Sequence, residues 1–142
     1  MSEPAPNSHT EIFAAINRAY FAGDFAAAWA LIDPEIVWIE PDGMPGAGTY
    51  HGHQGVRESL TKFVGTWDEY RAEHHDLTEA GDRLYLHARI TGKGKTSGVP
   101  VELDEFQVWT FREGKAVRME MFLEENDARR AAGLEPDREE AR

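Results

Sequence analysis

A glutamate ends the apolar segment EIVWIE (residues 35–40), immediately before a proline. Because side chains of a strand alternate between two faces, Glu40 shares a face with Ile36 and Trp38. A carboxyl group held against apolar side chains loses hydration, so its pKa rises and it can act as a general base or acid near neutral pH. Glu40 is therefore a catalytic candidate; the alternative is that its side chain turns into solvent at the strand end.

A second polar pair lies in the segment VELDEFQVWTF (residues 101–111). Glu105 and Gln107 alternate in step with Trp109 and Phe111, so all four share one strand face. A sealed core would carry valine or leucine at the polar positions. Polar groups on an otherwise apolar face predict a lined pocket rather than a filled core.

Histidines offer two further kinds of site. His74 and His75 are adjacent on a predicted strand, so only one can face a pocket, where it could act as acid, base or hydrogen-bond donor. A partly exposed strand histidine is the alternative. His51 and His53, followed by Glu58, match the spacing of the first metal-binding motif of cupins, but the later cupin histidine is missing. We predict no metal site and no cofactor, and keep a cupin-like metalloenzyme as a third hypothesis.

Helical and strand periodicities predict the elements that position these residues. Ser8 and Glu11 form a capping box before an apolar helical pattern, Gly23 ends that helix, and Asp24 caps the next. Asn126 or Asp127 is expected to cap a short last helix that ends at Gly133. The predicted elements are helices over residues 8–23, 24–33 and 53–67, strands over 35–40, 70–79, 84–91 and 101–111, and a strand from 115 to about 123. Helices segregated from a meander of strands indicate an α+β fold.

The segment from residue 101 to 126 predicts a long hairpin with a tight turn at residues 113–115. Its outer face carries Phe106, Val108 and Phe122, which need cover. Helices are expected to cover one face and a partner subunit or another sheet the other, and we predict a homodimer formed through Phe106, Val108 and Phe122.

Composition limits the remaining possibilities. The length of 142 residues predicts one domain, spanning 8–134, with disordered tails at 1–7 and 135–142. The formal net charge of −11 argues against nucleic acid and anionic membranes as partners. The chain has no cysteine, and neither a signal-peptide pattern nor a membrane-length apolar run is seen, so a cytoplasmic location is expected.

Several motifs together resemble one family. They are Phe21-Ala22-Gly23-Asp24, EIVWIEP, Tyr50-His51-Gly52 leading into Gly55-Val56-Arg57, and WTFREGKAVRMEMF. They look like the nuclear transport factor 2-like superfamily, and within it the SnoaL-like polyketide cyclases and ketosteroid isomerase-like proteins. The resemblance implies a cone-shaped curved antiparallel sheet wrapped around N-terminal helices, a pocket inside the cone, and dimers formed through the outer sheet face. Enzymes and non-enzymes share this fold.

The resemblance also carries over residue by residue. Glu40 falls where ketosteroid isomerases hold their proton-shuttling carboxylate, Gln107 where they hold a protonated aspartic acid, and Ile16 where they hold the oxyanion tyrosine. Met121 falls at the last aspartate of limonene epoxide hydrolases, which disfavours that reaction. His75 is the counterpart of a pocket histidine of scytalone dehydratases.

These observations lead to one preferred hypothesis, an enzyme acting on a hydrophobic carbonyl compound. Glu40 would move a proton next to the carbonyl, and Gln107, with Glu105 or His75, would polarise the oxygen. The alternative is a non-catalytic dimeric module that holds an apolar ligand or serves as an interaction scaffold. The predicted pocket lining is Ile16, Tyr20, Trp38, Phe63, Leu86, Ala88, Trp109, Met119 and Met121.

Overall fold

Helices pack against one six-stranded sheet in the computed structural model, which describes residues 8–44 and 46–136. The helices are α1 (His9–Phe21), α2 (Phe25–Ala30), α3 (Gly52–Val64) and α4 (Glu125–Ala131). The strands are β1 (Ile32–Glu40), β2 (Gly48–His51), β3 (Trp67–Ala80), β4 (Arg83–Gly94), β5 (Pro100–Arg112) and β6 (Lys115–Phe122). The tails predicted to be disordered lie outside the described residues, except for Glu135 and Pro136. The predicted α+β class is confirmed.

The strand order is β2-β1-β6-β5-β4-β3. All neighbouring pairs are antiparallel except β1 and β6, which run parallel. The prediction of an antiparallel sheet is therefore wrong at this one junction. A parallel pair needs a long crossover connection, and the segment from β2 to β5, which contains α3 and four strands, supplies it.

Irregular positions bend the sheet around the helices. In β3 the pairing register shifts between residues 68 and 71 and again between 75 and 78, and Glu69 and Asp76 have positive φ angles of 53° and 57°. In β6 an extra residue at Val117 places Ala116, rather than Val117, on the buried face with Met119. Bulges of this kind increase local twist and bend strands, which suits a cone-shaped sheet.

The N-terminal helices begin as their capping residues predict. The Ser8 hydroxyl accepts a hydrogen bond from the Glu11 backbone N–H at 3.1 Å, and Asp24 accepts one from Ala27 at 3.2 Å. The second helix is shorter than predicted, since Ile32 already belongs to β1. The last helix begins before its predicted cap, with Glu124 at the N-cap position.

Helix α4 covers part of the outer sheet face. Ala128 and Ala132 pack with Tyr85 and Val108, and Phe106 and Phe122 lie against the same cluster. Val108 is only 5% exposed, so the chain itself buries one of the three residues that suggested a dimer. Dimerisation through this face stays a prediction, resting on the half-buried Phe106 and Phe122. Within the described residues, no helix is long and apolar enough to cross a membrane.

Candidate active site

A cavity lies between the inner sheet face and the helices α1, α2 and α3. The space between the lining atoms is about 880 Å³ when the open solvent at its mouth is included. Most of its wall is apolar or aromatic. The aromatic lining residues are Phe13, Tyr20, Phe21, Trp29, Trp38, Phe63, Tyr70, His74 and Trp109.

Glu40 ends β1 with its carboxyl group in this cavity, and its side chain is buried (5% exposed). Oε1 accepts hydrogen bonds from Trp38 Nε1 at 2.9 Å and from the Ser59 hydroxyl at 3.0 Å. Oε2 has no hydrogen-bond partner among the described residues. Burial raises the pKa of Glu40, while the two donors oppose that rise because they favour the carboxylate.

Glu105 on β5 is the second buried carboxyl group, 2% exposed. Gln107 Nε2 donates to its Oε1 at 2.9 Å, and Trp109 Nε1 donates to Gln107 Oε1 at 2.8 Å. The indole therefore fixes the orientation of the amide, and the amide holds the carboxyl group. Oε2 again has no partner among the described residues. Burial is the main cause that raises the pKa of Glu105 to about 7; the Gln107 donor lowers it, and the charge of Glu40 raises it further.

The two carboxyl groups thus share one cavity but differ in surroundings. Glu40 has two donors on one oxygen and Glu105 has one. Burial raises the pKa of both groups, and the donors of Glu40 oppose that rise more than the single donor of Glu105 does. Glu105 is therefore the better candidate for the protonated group of the pair.

Three more polar residues line the cavity: His74, one of the two adjacent strand histidines, and Tyr70 and Asn17, which the sequence analysis did not select. Burial raises the pKa of Tyr70, with the charge of Glu105 adding to the effect, so its hydroxyl stays protonated. Burial also lowers the pKa of His74, with His75 adding to the effect, so its imidazole stays neutral near neutral pH. Asn17 completes the set, and its amide donates to the Phe13 carbonyl at 2.9 Å.

The structure corrects the placement of His75. Its imidazole lies 3.3 Å from the Glu73 carboxylate and its ring 5.8 Å from that of His87, on the outer face. Near the β3–β4 turn, Thr78 pairs with Tyr85. If β3 were regular from there back towards its start, His75 would pair with Ala88. The bulge shifts the register by one residue, so His74 pairs with Ala88 and faces the cavity.

The predicted lining residues divide into two groups. Ile16, Tyr20, Trp38, Phe63, Trp109 and Met121 line the cavity. Leu86, Ala88 and Met119 do not; they are fully buried in the core. Leu86 pairs with Gln107 and Ala88 with Glu105, so these small and medium apolar side chains support the polar residues from the neighbouring strand.

The histidines of the cupin-like spacing serve other purposes. His53 Nε2 lies 2.7 Å from the Ile32 carbonyl oxygen, and its ring is 5.0 Å from that of Trp29. His51 and Glu58 are exposed. Across the described part of the chain, no group of three or more histidine, aspartate or glutamate side chains is placed to hold a metal ion.

Removing the Ser59 hydroxyl tests whether its hydrogen bond lowers the pKa of Glu40. In a Ser59→Ala variant, the carboxylate loses one of its two donors, so we expect the pKa of Glu40 to rise. The measurement is a carbon NMR titration of labelled glutamate carboxyl groups, assigned with Glu40→Gln. Ser97→Ala, in the β4–β5 turn, is the matched control and should leave the Glu40 signal unmoved. An unchanged or lower pKa in Ser59→Ala would contradict this account.

Comparison with known proteins adds a family and a set of similar structures. A family model described as a SnoaL-like domain matches residues 10–119. No curated protein matches the chain. Among solved structures, a nuclear transport factor 2-like protein from Burkholderia thailandensis is 29% identical with a TM-score of 0.74, covering 92% of this chain and all of that one.

Two further structures are similar over most of their length. A nuclear transport factor 2-like protein of unknown function from Burkholderia pseudomallei is 26% identical, with a TM-score of 0.70 and coverage of 85% and 94% of the two chains. TerC, co-crystallised with polyporic acid, is 27% identical, with a TM-score of 0.70 and coverage of 81% and 90%.

Proposed function

Because the chain belongs to the SnoaL-like domain family, we propose that it is an enzyme that moves a proton within a hydrophobic carbonyl compound. The observation that carries this proposal is the pair of buried carboxyl groups, Glu40 and Glu105, in one aromatic-lined cavity. Two carboxyl groups with unequal surroundings are one arrangement that supplies both a general base and a general acid. The reaction is of the isomerase, cyclase or dehydratase type.

Glu40 acts as the base. Trp38 and the Ser59 hydroxyl hold Oε1, which leaves Oε2 as the atom that takes a proton from the carbon next to the carbonyl group. The C–H electron pair becomes the carbon–carbon double bond of an enolate or enol, and the negative charge develops on the carbonyl oxygen. Returning the proton to another carbon completes an isomerisation. In a dehydration, the enolate electron pair expels a hydroxyl group from the next carbon, and that hydroxyl group leaves as water with the proton that Glu40 had taken.

Glu105 acts as the acid that stabilises this oxygen. Because Oε1 already accepts from Gln107, a neutral Glu105 carries its proton on Oε2, the oxygen without a partner among the described residues. It donates that proton to the developing oxyanion as a hydrogen bond. A positioned donor of this kind contributes about 3 kcal/mol to transition-state stabilisation.

This assignment changes the role of Gln107. The resemblance gave Gln107 the place of the oxyanion donor, but its amide is held at both ends by Trp109 and Glu105. Gln107 is then a positioning residue, and the donor is Glu105, two residues earlier on the same strand face. The protonated hydroxyl of Tyr70, which lines the same cavity, offers a second donor in place of the family tyrosine that Ile16 replaces.

A non-catalytic ligand-binding module is the second candidate. The observation that favours it is the same closed hydrogen-bond chain from Trp109 through Gln107 to Glu105, which can serve rigidity rather than catalysis. TerC, a similar protein, was co-crystallised with the small organic molecule polyporic acid. Both candidates therefore share a small organic ligand as the occupant of the cavity.

Deuterium exchange in heavy water distinguishes the two candidates without knowledge of the natural substrate. A panel of apolar ketones and enones is incubated with the protein, and proton NMR follows loss of the hydrogen next to the carbonyl. We expect exchange above the buffer rate for at least one compound, because removal of that proton is the first step of every reaction type proposed. Compounds that bind, as shown by line broadening, but exchange at the buffer rate would favour the binding module.

A further inference from the structure

A second recess adjoins the mouth of the cavity. It is lined by Tyr20, Phe25, Trp29, Arg57, Leu60 and Thr61, and three of these residues, Tyr20, Trp29 and Leu60, also line the cavity. The two spaces therefore adjoin along a shared wall. A ligand longer than the cavity would extend into this recess.

Arg57 gives this recess a positive charge. Its guanidinium lies over the Trp29 ring, 5.0 Å from the centroid, and it forms no ion pair with any carboxylate in the described part of the chain. Its helical neighbours at three and four residues are His53, Gln54, Leu60 and Thr61, so no acidic side chain lies beside it on the α3 surface. The protein has a formal net charge of −11, yet the guanidinium of Arg57 has no carboxylate partner among the described residues, so it can bind an anionic group of a ligand.

Aromatic side chains at the mouth are exposed. Phe21 and Phe25 are 61% and 50% exposed, and their rings meet that of Tyr20 edge-on at 5.4 and 5.6 Å. Exposed aromatic groups grouped beside a cavity indicate a contact surface for a ligand. Together with Arg57 they form a mouth that combines apolar contact with one positive charge.

The interior of the cavity offers no positive side chain. Glu40 and Glu105 lie on the inner sheet face, and no lysine or arginine lines the cavity among the described residues. An anionic group would therefore find no positive partner inside and would be attracted by Arg57 at the recess. The arrangement orients a ligand that is apolar along its body and anionic at one end.

We propose that Arg57 and the aromatic side chains around it form a subsite for an anionic group, such as a carboxylate or sulfonate, on an otherwise apolar ligand. The anionic end stays at the mouth over Trp29, and the apolar end enters the cavity. This subsite depends on the proposed function in one respect only, namely that the reactive carbonyl group belongs to the end of the ligand that enters the cavity.

A pair of fluorescent probes tests this subsite. 1-Anilinonaphthalene-8-sulfonate and N-phenyl-1-naphthylamine share an apolar body and differ by the sulfonate. Titrations are made with the full chain, with Arg57→Gln, and with Arg18→Gln as the matched control, since Arg18 is exposed on α1 and lines neither space. We expect Arg57→Gln to weaken sulfonate binding about fivefold, as for one exposed ion pair, and to leave the neutral probe unchanged. Arg57→Lys should keep most of the sulfonate affinity.

Several results would overturn the subsite. They are failure of the sulfonate probe to bind the unmodified protein, equal weakening of both probes in Arg57→Gln, no weakening of the sulfonate probe in that variant, or an equal effect of Arg18→Gln. The test is separate from catalysis, because the probes report binding alone. Absence of deuterium exchange would remove the proposed reaction and leave this comparison intact.

Discussion

Replacing Glu40 with glutamine is expected to lower the rate of deuterium exchange by a factor of about 10² to 10⁴, the usual contribution of a positioned general base. Glutamine is close in shape to glutamate, and its Oε1 can still accept from Trp38 and Ser59, the two donors that hold the carboxylate. The variant therefore keeps the local packing while losing the atom that accepts the proton. The measurement is the exchange rate of whichever ketone or enone the unmodified protein processes.

Glu35→Gln is the matched control for this experiment. Glu35 lies on the same strand but is exposed, so the same chemical change there should leave the exchange rate within about twofold, because an exposed substitution away from the cavity has little effect. Circular dichroism and thermal unfolding of both variants check that the fold is kept. Full exchange activity in a folded Glu40→Gln variant would exclude Glu40 as the base.

The sequence placed the central polar residues by simple alternation along regular strands. Glu40 follows Trp38 by two residues, and Glu105, Gln107 and Trp109 follow one another by two, so period-two alternation assigns them to the inner face. The bulge in this hairpin lies beyond them, where Thr110 pairs with Arg118 and Phe111 with Ala116. Alternation along the regular part of β5 therefore predicts the inner face correctly, and Glu105, Gln107 and Trp109 all line the cavity.

Two residues of the site, His74 and Ser59, were not predicted. His74 lies where strand alternation is interrupted, and Ser59 lies on a helix face that was analysed only for its apolar residues. His74 replaced His75 because of a one-residue bulge at Asp76, and a left-handed residue of this type is not apparent from strand periodicity. Ser59 does have a signal. It stands three residues after Val56 and four before Phe63, on the apolar stripe of α3, and a hydroxyl in such a stripe needs a buried partner.

The cover over the outer face could not be predicted from the hairpin alone. Alternation showed that Phe106, Val108 and Phe122 need burial, but it does not specify what buries them. Tyr85, Ala128 of α4 and Ala132 at the end of that helix complete the cluster, and the small alanine side chains let the helix approach the sheet closely. A short helix rich in charge gave little sign of such a role.

Glu105 should make the stability of the protein depend on pH, and this effect needs no substrate. Burial raises its pKa from the ordinary 4.5 to about 7 in the folded state, so between these values the folded protein binds more protons than the unfolded chain. Stability therefore falls as pH rises through this window. A shift of this size corresponds to about 3 kcal/mol of unfolding free energy, present below pH 4.5 and lost above pH 7.

Urea unfolding of Glu105→Gln at several pH values isolates this contribution from the other titrating groups. The variant stays neutral at position 105, so the difference in unfolding free energy between variant and unmodified protein should increase in favour of the variant by about 3 kcal/mol from pH 4.5 to pH 8. Glu102→Gln, at an exposed position of the same strand, is the matched control for the chemical change itself.

If the difference between Glu105→Gln and the unmodified protein is constant from pH 4.5 to pH 8, the Glu105 carboxyl group ionises as readily in the folded protein as in the unfolded chain. It could not then serve as a neutral acid near pH 7, and the oxyanion would need another donor, for which the protonated hydroxyl of Tyr70 is the nearest choice in the cavity.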